Sequence, residues 1–415
     1  MAAPPVQSLV LSFEDARRVV EEQASRAAAH ESQTVDLLGA AGRILAQPLV
    51  ADRDFPPFSR ATRDGYAVRS ADLETLPARL RVVGEIKAGI QKLISSPLNP
   101  GQAFSIMTGA PVPPGADAVV MVEYTSAHGE WVEIAKGVSA GENIVPQGAE
   151  ASQGSVLLER GTRLNEAGIA LAASVGKTKL SVFGRPRVAV LATGDEIVEV
   201  ETQPGATQIR NSNSYSLAAQ ILQAGGEPVL LPIAPDEPKR LRKLIEQGLQ
   251  SDLLIITGGV SMGRYDLVEQ ALAELHAEFF FTGAKIQPGR PVVFGCCGKT
   301  VASRKYFFGL PGNPLSTMVT FELFARPVIE ALGGVRPHPL FFPHARARSE
   351  IRVKTGLTRF LPAIHSGKFD DSYVEIVPWQ GSGDIAAQAR ANCYVVVPPD
   401  REHIPAGEWV ALMLR

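Results

Sequence analysis

Asp252-Leu253-Leu254-Ile255-Ile256-Thr257 is a nearly unbroken apolar run of strand length that leads straight into Gly258-Gly259-Val260-Ser261-Met262-Gly263. A strand without polar alternation has neither face toward water, as expected for a central strand in a sheet covered on both sides. The glycines that follow mark a tight turn whose main-chain N–H groups can face a ligand. Downstream, Leu267, Val268, Ala271, Leu272 and Leu275 fall on one helical face. Upstream, Arg187 to Ala192 and Val229 to Ile233 repeat the strand pattern. Leu217, Ala218, Ile221 and Leu222 mark a helix between them, with Ser212 or Asn213 as its cap. Leu241, Leu244, Ile245 and Leu249 mark another helix, opened by Asp236 and Pro238. A hairpin-like stretch from Phe279 to Phe294, a strand near Phe307 and a helix after Pro314 complete the unit. Strand alternating with helix predicts an α/β fold, a doubly wound and mostly parallel sheet over 184–334.

The flanks read differently. Ser12 can cap a helix from Phe13 to Ala29, a second short helix is expected from Gly42 to Ala46, and helical character returns from Glu166 to Ala173. Between these, short apolar runs such as Ala118 to Val122 alternate with Pro- and Gly-rich stretches, which predicts a β-rich module. The expected organisation is therefore a helical domain in two pieces (8–50 and 147–183), an inserted β-rich module (51–146), the α/β domain (184–334) and a C-terminal β domain (335–415).

The bulk numbers bound the function. At 415 residues the chain exceeds one ordinary core. Hydrophobic content of 45% with 20% charged residues is that of a globular chain. A net charge of −2 argues against nucleic acid as a partner, because neutralising many phosphates takes a basic surplus. The 3 cysteines form no disulfide framework and no zinc pattern, and the scattered histidines offer no helical metal pair. No segment reads as a secretory signal or a bilayer span, so a cytoplasmic protein is expected, with no membrane partner.

In a doubly wound sheet, ligands bind beyond the carboxyl ends of the strands. Three polar segments fall there: Thr193-Gly194-Asp195-Glu196, the loop Gly258 to Gly263, and Pro311-Gly312-Asn313-Pro314. Each alone is equally well a plain strand-to-helix turn. Glu196, Asp236 and Asp266 each follow a different strand, so one rim can gather them as oxygen ligands for Mg²⁺. For Asp236 and Asp266 taken singly, a helix-start role explains an acid as well. Lys285 to Pro291 puts two cations near a turn, suited to an oxyanion or simply to a solvated hairpin tip. Asp64-Gly65 has the chemistry of a hairpin turn. Gly259-Val260-Ser261-Met262-Gly263 is also a literal G-x-S-x-G, so a serine hydrolase using Ser261 competes with a phosphate cradle.

Taken together, these segments resemble one family along nearly the whole chain. The motifs are Asp64-Gly65-Tyr66-Ala67-Val68, Ile106 to Pro111, Gly115 to Val120, Thr193 to Glu196, Asn211-Ser212-Asn213-Ser214, the loop ending at Gly263 with Asp266, and Pro311 to Pro314. The family is the bacterial molybdopterin molybdenumtransferases, or molybdenum insertases, to which the E domain of gephyrin is related. The resemblance implies an elongated homodimer, with the two-piece domain dimerising and the active site between the α/β domain of one subunit and the β module of the other. It implies adenylated molybdopterin and molybdate as substrates, Mg²⁺-dependent hydrolysis of the adenylate, and release of AMP with the molybdenum cofactor. Asp64 and Thr108 would line the site from the second subunit, and Glu196, Asp236 and Asp266 would bind metal or steer hydrolysis. Gly258, Gly259, Ser261 and Gly263 would hold phosphate, which recasts Ser261 as a phosphate contact. Thr193, Gly194, Asn211, Ser212, Asn213, Lys285, Pro288, Gly289, Arg290, Pro311, Gly312, Asn313 and Pro314 would shape the pterin and molybdate pocket. The molybdopterin adenylyltransferase and apo molybdoenzymes are the implied protein partners. A non-catalytic scaffold of the same fold is the other reading left open. Arg63, Glu150 and Arg264 depart from the family's usual residues at their positions.

Overall fold

The computed structural model describes residues 9–89, 94–259, 267–298, 304–369 and 371–415. Its helices are α1 (Phe13–Arg26), α2 (Glu166–Ser174), α3 (Ser212–Ala224), α4 (Pro238–Gly248), α5 (Leu267–Glu274), α6 (Pro314–Thr320), α7 (Arg326–Leu332) and α8 (Ile385–Arg390). The central sheet runs in the order Glu227–Leu230, Arg187–Ala192, Leu253–Thr257, Lys305–Leu310, Val293–Cys297, Glu278–Phe281. Its first four strands are parallel, and the last two pairings are antiparallel.

The apolar runs account for this sheet directly. Val188, Val190, Leu253 and Ile255 enter the core on one face, with Leu217 and Ile221 of α3 and Leu315 and Val319 of α6. Ala189, Leu191, Leu254 and Ile256 enter the core on the other, with Leu241 and Ile245 of α4 and Val268 and Leu272 of α5. Two buried faces need apolar residues at every strand position, which is why no alternation is seen. Truncating one such residue, as in Ile255→Ala, costs about 2–5 kcal/mol through lost burial and the cavity left behind.

Sequence-based element boundaries hold for most of this unit, with specific corrections. Asn211, rather than Ser212 or Asn213, caps α3, its side chain accepting the Ser214 N–H. Residues 42–46 form a turn and isolated bridges to Arg163 and Val182, not a helix. Helix α1 ends at Arg26 and packs on α7, placing Phe13, Ala16, Val20 and Ala24 in the α/β core. The segments 32–50 and 151–183 accordingly hold one helix, α2, and two two-stranded antiparallel sheets. The β-rich module is a six-stranded sheet spanning Gly65 to Ile134.

In the C-terminal region five strands close on themselves, Cys393–Val397 pairing back onto Thr358–Lys368. Ile286–Gln287 of the α/β unit adds in parallel beside Thr358 and Arg359. The Lys285–Pro291 stretch is therefore no hairpin tip; its strand pairs with the C-terminal sheet, which fixes where the loop can reach.

Candidate active site

The strand order reverses between Arg187–Ala192 and Leu253–Thr257, because the chain leaves the first toward one edge and builds outward from the second toward the other. A crevice opens at such a point beyond the carboxyl ends of the strands. Thr193 N–H donates to the Thr257 carbonyl at 3.0 Å, joining the two strand ends. Gly258 and Gly259 have φ of +90° and +65°, in the left-handed region that favours glycine. A Cβ on Gly258 would lie 2.6 Å from the Thr193 carbonyl oxygen, and one on Gly259 2.9 Å from Thr193 Oγ1. The first two residues of the loop are glycine for that close approach.

A cavity of about 830 Å³ occupies the crevice. Its walls are Thr193, Gly194 and Glu196 from the first strand end, Arg210 to Asn213 at the start of α3, and Asp236. Gly258 and Gly259, the Pro311–Pro314 turn, Pro291, and Gly383 with Ile385 from the C-terminal region complete them. The N-terminus of α3 presents its positive end to this space, which favours an anionic group. Thr193 Oγ1 and Asn213 Oδ1 are buried without a hydrogen-bond partner among the described residues. Buried polar atoms are rarely left so, and a ligand or water in the cavity would complete them.

Two acids face the cavity without engagement. Glu196 lies with its carboxylate against Gly194, whose φ of +133° and missing Cβ leave room for it. Asp236 sits in the turn before α4, its own N–H donating to Asp195 Oδ1 at 3.0 Å. Asp236 does not cap α4, since the cap residue is Glu237 and no side chain makes a cap bond there. Neither the Glu196 nor the Asp236 carboxylate has an ion pair or accepted hydrogen bond among the described residues. Such free oxygen donors suit a hard divalent cation that also takes phosphate oxygens. Asp266, the third acid expected there, lies outside the described residues, as do Ser261 and Gly263, and no group of three metal-ligating side chains is gathered among those described.

The remaining sequence candidates lie elsewhere. Lys285, Pro288, Gly289 and Arg290 do not line this cavity, although the next residue, Pro291, does. Gln287 opens instead onto a second cavity of about 750 Å³ with Arg352, Lys354, Arg359 and Trp379. Asp64 and Thr108 come together in the β-rich module: Thr108 donates from its N–H at 2.6 Å and its hydroxyl at 2.8 Å, both to Asp64 Oδ1. The two bonds hold the Asp64 carboxyl below the usual carboxylate range. Asp64 is not in a hairpin turn, because the strand Gly65–Val68 pairs with Gln102–Ile106 and Ala118–Met121. Gly65 lies so close to the Val120 carbonyl that any Cβ would collide with it.

Residues 11–176 match the MoeA N-terminal region (domain I and II), residues 189–331 a probable molybdopterin binding domain, and residues 344–414 the MoeA C-terminal region (domain IV). A curated relative from Nostoc, a molybdopterin molybdenumtransferase, is 37% identical over 395 residues, covering 92% of this chain and 88% of its own. One from Bacillus subtilis with the same name is 32% identical over 394 residues, covering 92% and 90%. The chain belongs to the molybdopterin molybdenumtransferase family. A solved molybdopterin biosynthesis protein of Pyrococcus horikoshii, 32% identical, superposes with a TM-score of 0.72 over 98% of this chain and 99% of its own. A second solved molybdopterin biosynthesis protein from that organism, 26% identical, gives 0.80 over 98% and 100%.

Membership in the molybdenumtransferases displaces the serine-hydrolase reading of Gly259 to Gly263 and the reading as a non-catalytic scaffold. The crevice also holds residues that sequence reasoning missed. Arg210 lines the cavity with its Nε donating to the Thr202 carbonyl at 3.2 Å, and Asp195 anchors the Asp236 turn. Gly383 and Ile385 come from a loop tied to the crevice by Asn313 Nδ2 donating to Ser382 Oγ at 2.9 Å and Leu315 N–H donating to the Ser382 carbonyl at 3.0 Å. The only signal for that loop was its Gly381-Ser382-Gly383-Asp384 turn chemistry, which says nothing about what it packs against. Among the described residues no helix is long and apolar enough to cross a membrane.

Proposed function

We propose that this chain transfers molybdenum from molybdate to the dithiolene of adenylated molybdopterin, hydrolysing the adenylate and releasing AMP. The carrying observation is the 830 Å³ cavity that gathers a glycine cradle, a helix N-terminus and two unengaged carboxylates at the switch point of the sheet. Phosphoanhydride hydrolysis needs neutralised charge, a held phosphate and a positioned water, and this set of groups supports each need. Main-chain N–H groups at Gly259 and the start of α3 donate to the phosphate oxygens, while the Gly258 N–H is held by the Leu310 carbonyl. Asn211 and Asn213 fix the start of α3 against the strand ends, so the cradle is formed before substrate arrives. Arg210 adds a positive charge near the phosphates.

Glu196 and Asp236 would hold Mg²⁺, which supplies charge neutralisation on the phosphate oxygens when bound. In the hydrolytic step, water attacks phosphorus and the P–O bond of the anhydride breaks. The departing oxygen leaves on AMP and the water's oxygen stays on the other phosphate. A carboxylate at Glu196 or Asp236 accepts the proton lost by water. Pro311 to Pro314 shape the end of the pocket nearest the C-terminal loop, where Gly383 and Ile385 limit access by water. Asp64 and Thr108, which do not reach this cavity within one chain, act from the β-rich module of a second copy in a homodimer. The molybdopterin adenylyltransferase would supply the substrate, and apo molybdoenzymes would accept the product, in the cytoplasm.

The test is AMP release from adenylated molybdopterin with molybdate and Mg²⁺ present. Turnover that falls in both Glu196→Gln and Asp236→Asn supports this site. Unchanged turnover in both variants, or covalent labelling of Ser261 by a fluorophosphonate, removes it.

A further inference from the structure

A third, smaller cavity of about 220 Å³ lies away from the switch point, where residues 41–44, 163 and 183–185 meet the C-terminal ends of α3 and α7. Its charged lining is Arg43, Arg163, Arg185 and Glu330. Glu330 is already shared: Oε1 lies 3.7 Å from both Arg163 Nη2 and Arg326 Nη1, and Oε2 lies 3.9 Å from His338 Nε2. Arg163 is further occupied by the Gly42 carbonyl, at 3.2 Å from Nη1. Arg43 gives Nη2 to the Phe183 carbonyl at 2.8 Å and has no carboxylate partner among the described residues. The Arg185 side chain has neither an ion pair nor a hydrogen bond among them. Burial first, and then the like charge of Arg185, push the Arg43 guanidinium below its ordinary range.

The charge balance decides what can enter. Three arginines against one carboxylate leave two positive charges. The ends of α3 and α7, at Gly225 and Gly333, each return roughly half a negative charge. About one positive charge remains uncompensated, on guanidinium forks shaped to grip oxygen pairs. The space equals roughly seven waters at about 30 Å³ each, enough for one tetrahedral anion and its bridging water.

We propose that this cavity binds a phosphate group, gripped between Arg43 and Arg185, at a site separate from the one where molybdenum is transferred. The ligand is either free inorganic phosphate or the phosphate of a mononucleotide such as AMP. Its binding would bridge the 41–44 turn and the 183–185 connection, fastening the α2-bearing unit to the ends of α3 and α7. The site is independent of the proposed transferase chemistry, since none of its residues lines the larger cavity.

The experiment is calorimetric titration of the full chain with inorganic phosphate, and separately with AMP, at constant ionic strength. The proposal expects one phosphate-group site whose Kd weakens at least tenfold in Arg185→Gln and in Arg43→Gln. Because Arg43 also holds the Phe183 carbonyl, its variant can lose the fold; Arg185→Gln breaks no such bond and decides alone. Arg185-dependent binding of phosphate identifies the free anion, and of AMP alone the nucleotide; either result supports the site. No binding by either, or a Kd unchanged in Arg185→Gln, overturns it.

Discussion

The side-chain amide of Asn213 donates to the Gly312 carbonyl at 2.8 Å, and so ties the first turn of α3 to the turn before α6. The same nitrogen donates to Thr257 Oγ1 at 2.9 Å and reaches Thr317 Oγ1 at 3.3 Å. One amide thereby sets the spacing of three segments that wall the cavity. Asn211 makes this arrangement available, because capping α3 from Asn211 leaves the Asn213 side chain free for the crevice.

Asn213→Ala should therefore cost about 1–3 kcal/mol of stability, the penalty for leaving buried acceptors unsatisfied. It should also lower AMP release on the order of 100-fold, since an ångström of misplacement in a positioned site has that effect. Asn213→Asp should be worse, because it sets a negatively charged acceptor against the Gly312 carbonyl oxygen. Thermal unfolding alongside the AMP assay separates the two effects, and an Asn213→Ala enzyme with full turnover refutes the positioning role.

Glu196 and Asp236 lead to the opposite pattern. Both are exposed and unpaired among the described residues, so Glu196→Gln and Asp236→Asn should change stability by no more than about 0.5 kcal/mol. AMP release should fall by about 100-fold or more in each if they hold Mg²⁺ against the phosphates. Asp195→Ala should fall less, about tenfold, since it removes only the anchor of the Asp236 N–H. Equal losses in all three would show that Asp195 takes part directly.

How much was legible in the sequence depends on what kind of contact makes each feature. The sheet was legible because Leu253 to Thr257 must be apolar at every position to be buried on both faces. The switch-point segments followed, since strand order in an α/β unit places them at one rim. What stayed hidden was set by packing between distant segments. Nothing around Lys285 to Pro291 shows that Ile286 and Gln287 pair with Thr358 and Arg359. Asp64-Gly65 looked like a hairpin turn because aspartate before glycine fits one; the need here is for a donor pair on Thr108 and a Cβ-free approach to Val120. Residues 42–46 carry helix-compatible side chains, but their main chain bonds to Arg163 and Phe183 instead.

Asp64 gives a prediction in pH. Its carboxyl is held below the ordinary range first by the Thr108 N–H and then by the Thr108 hydroxyl. The ionised form therefore persists to lower pH than for a free aspartate. Thr108→Val removes the hydroxyl and keeps the N–H, so the pKa should move up toward the usual value without reaching it. A carboxyl carbon NMR titration of Asp64 reads this directly. If Asp64 must be ionised for turnover, the acid limb of the pH–rate profile moves to higher pH in step, and an unmoved limb shows that another group controls it.

At the opposite end of the sheet, Asp252 joins three elements. Its Oδ2 accepts from the Arg187 N–H at 2.7 Å and meets His30 Nε2 at 2.7 Å, while Lys305 Nζ lies 3.6 Å from Oδ1. Burial opposes its ionisation, but the His30 and Arg187 hydrogen bonds and the nearby positive charges outweigh it and hold the carboxyl below its ordinary range. A depressed carboxylate stabilises the fold above its unfolded pKa of about 3.9, and that contribution is lost as pH falls through the folded value. Asp252→Ala should cost about 1–3 kcal/mol at neutral pH, partly by stranding the Arg187 N–H. Urea unfolding at pH 7 should show the full difference from the parent chain, and the gap should narrow below about pH 4. A gap that stays constant across that range would assign the loss to packing rather than to charge.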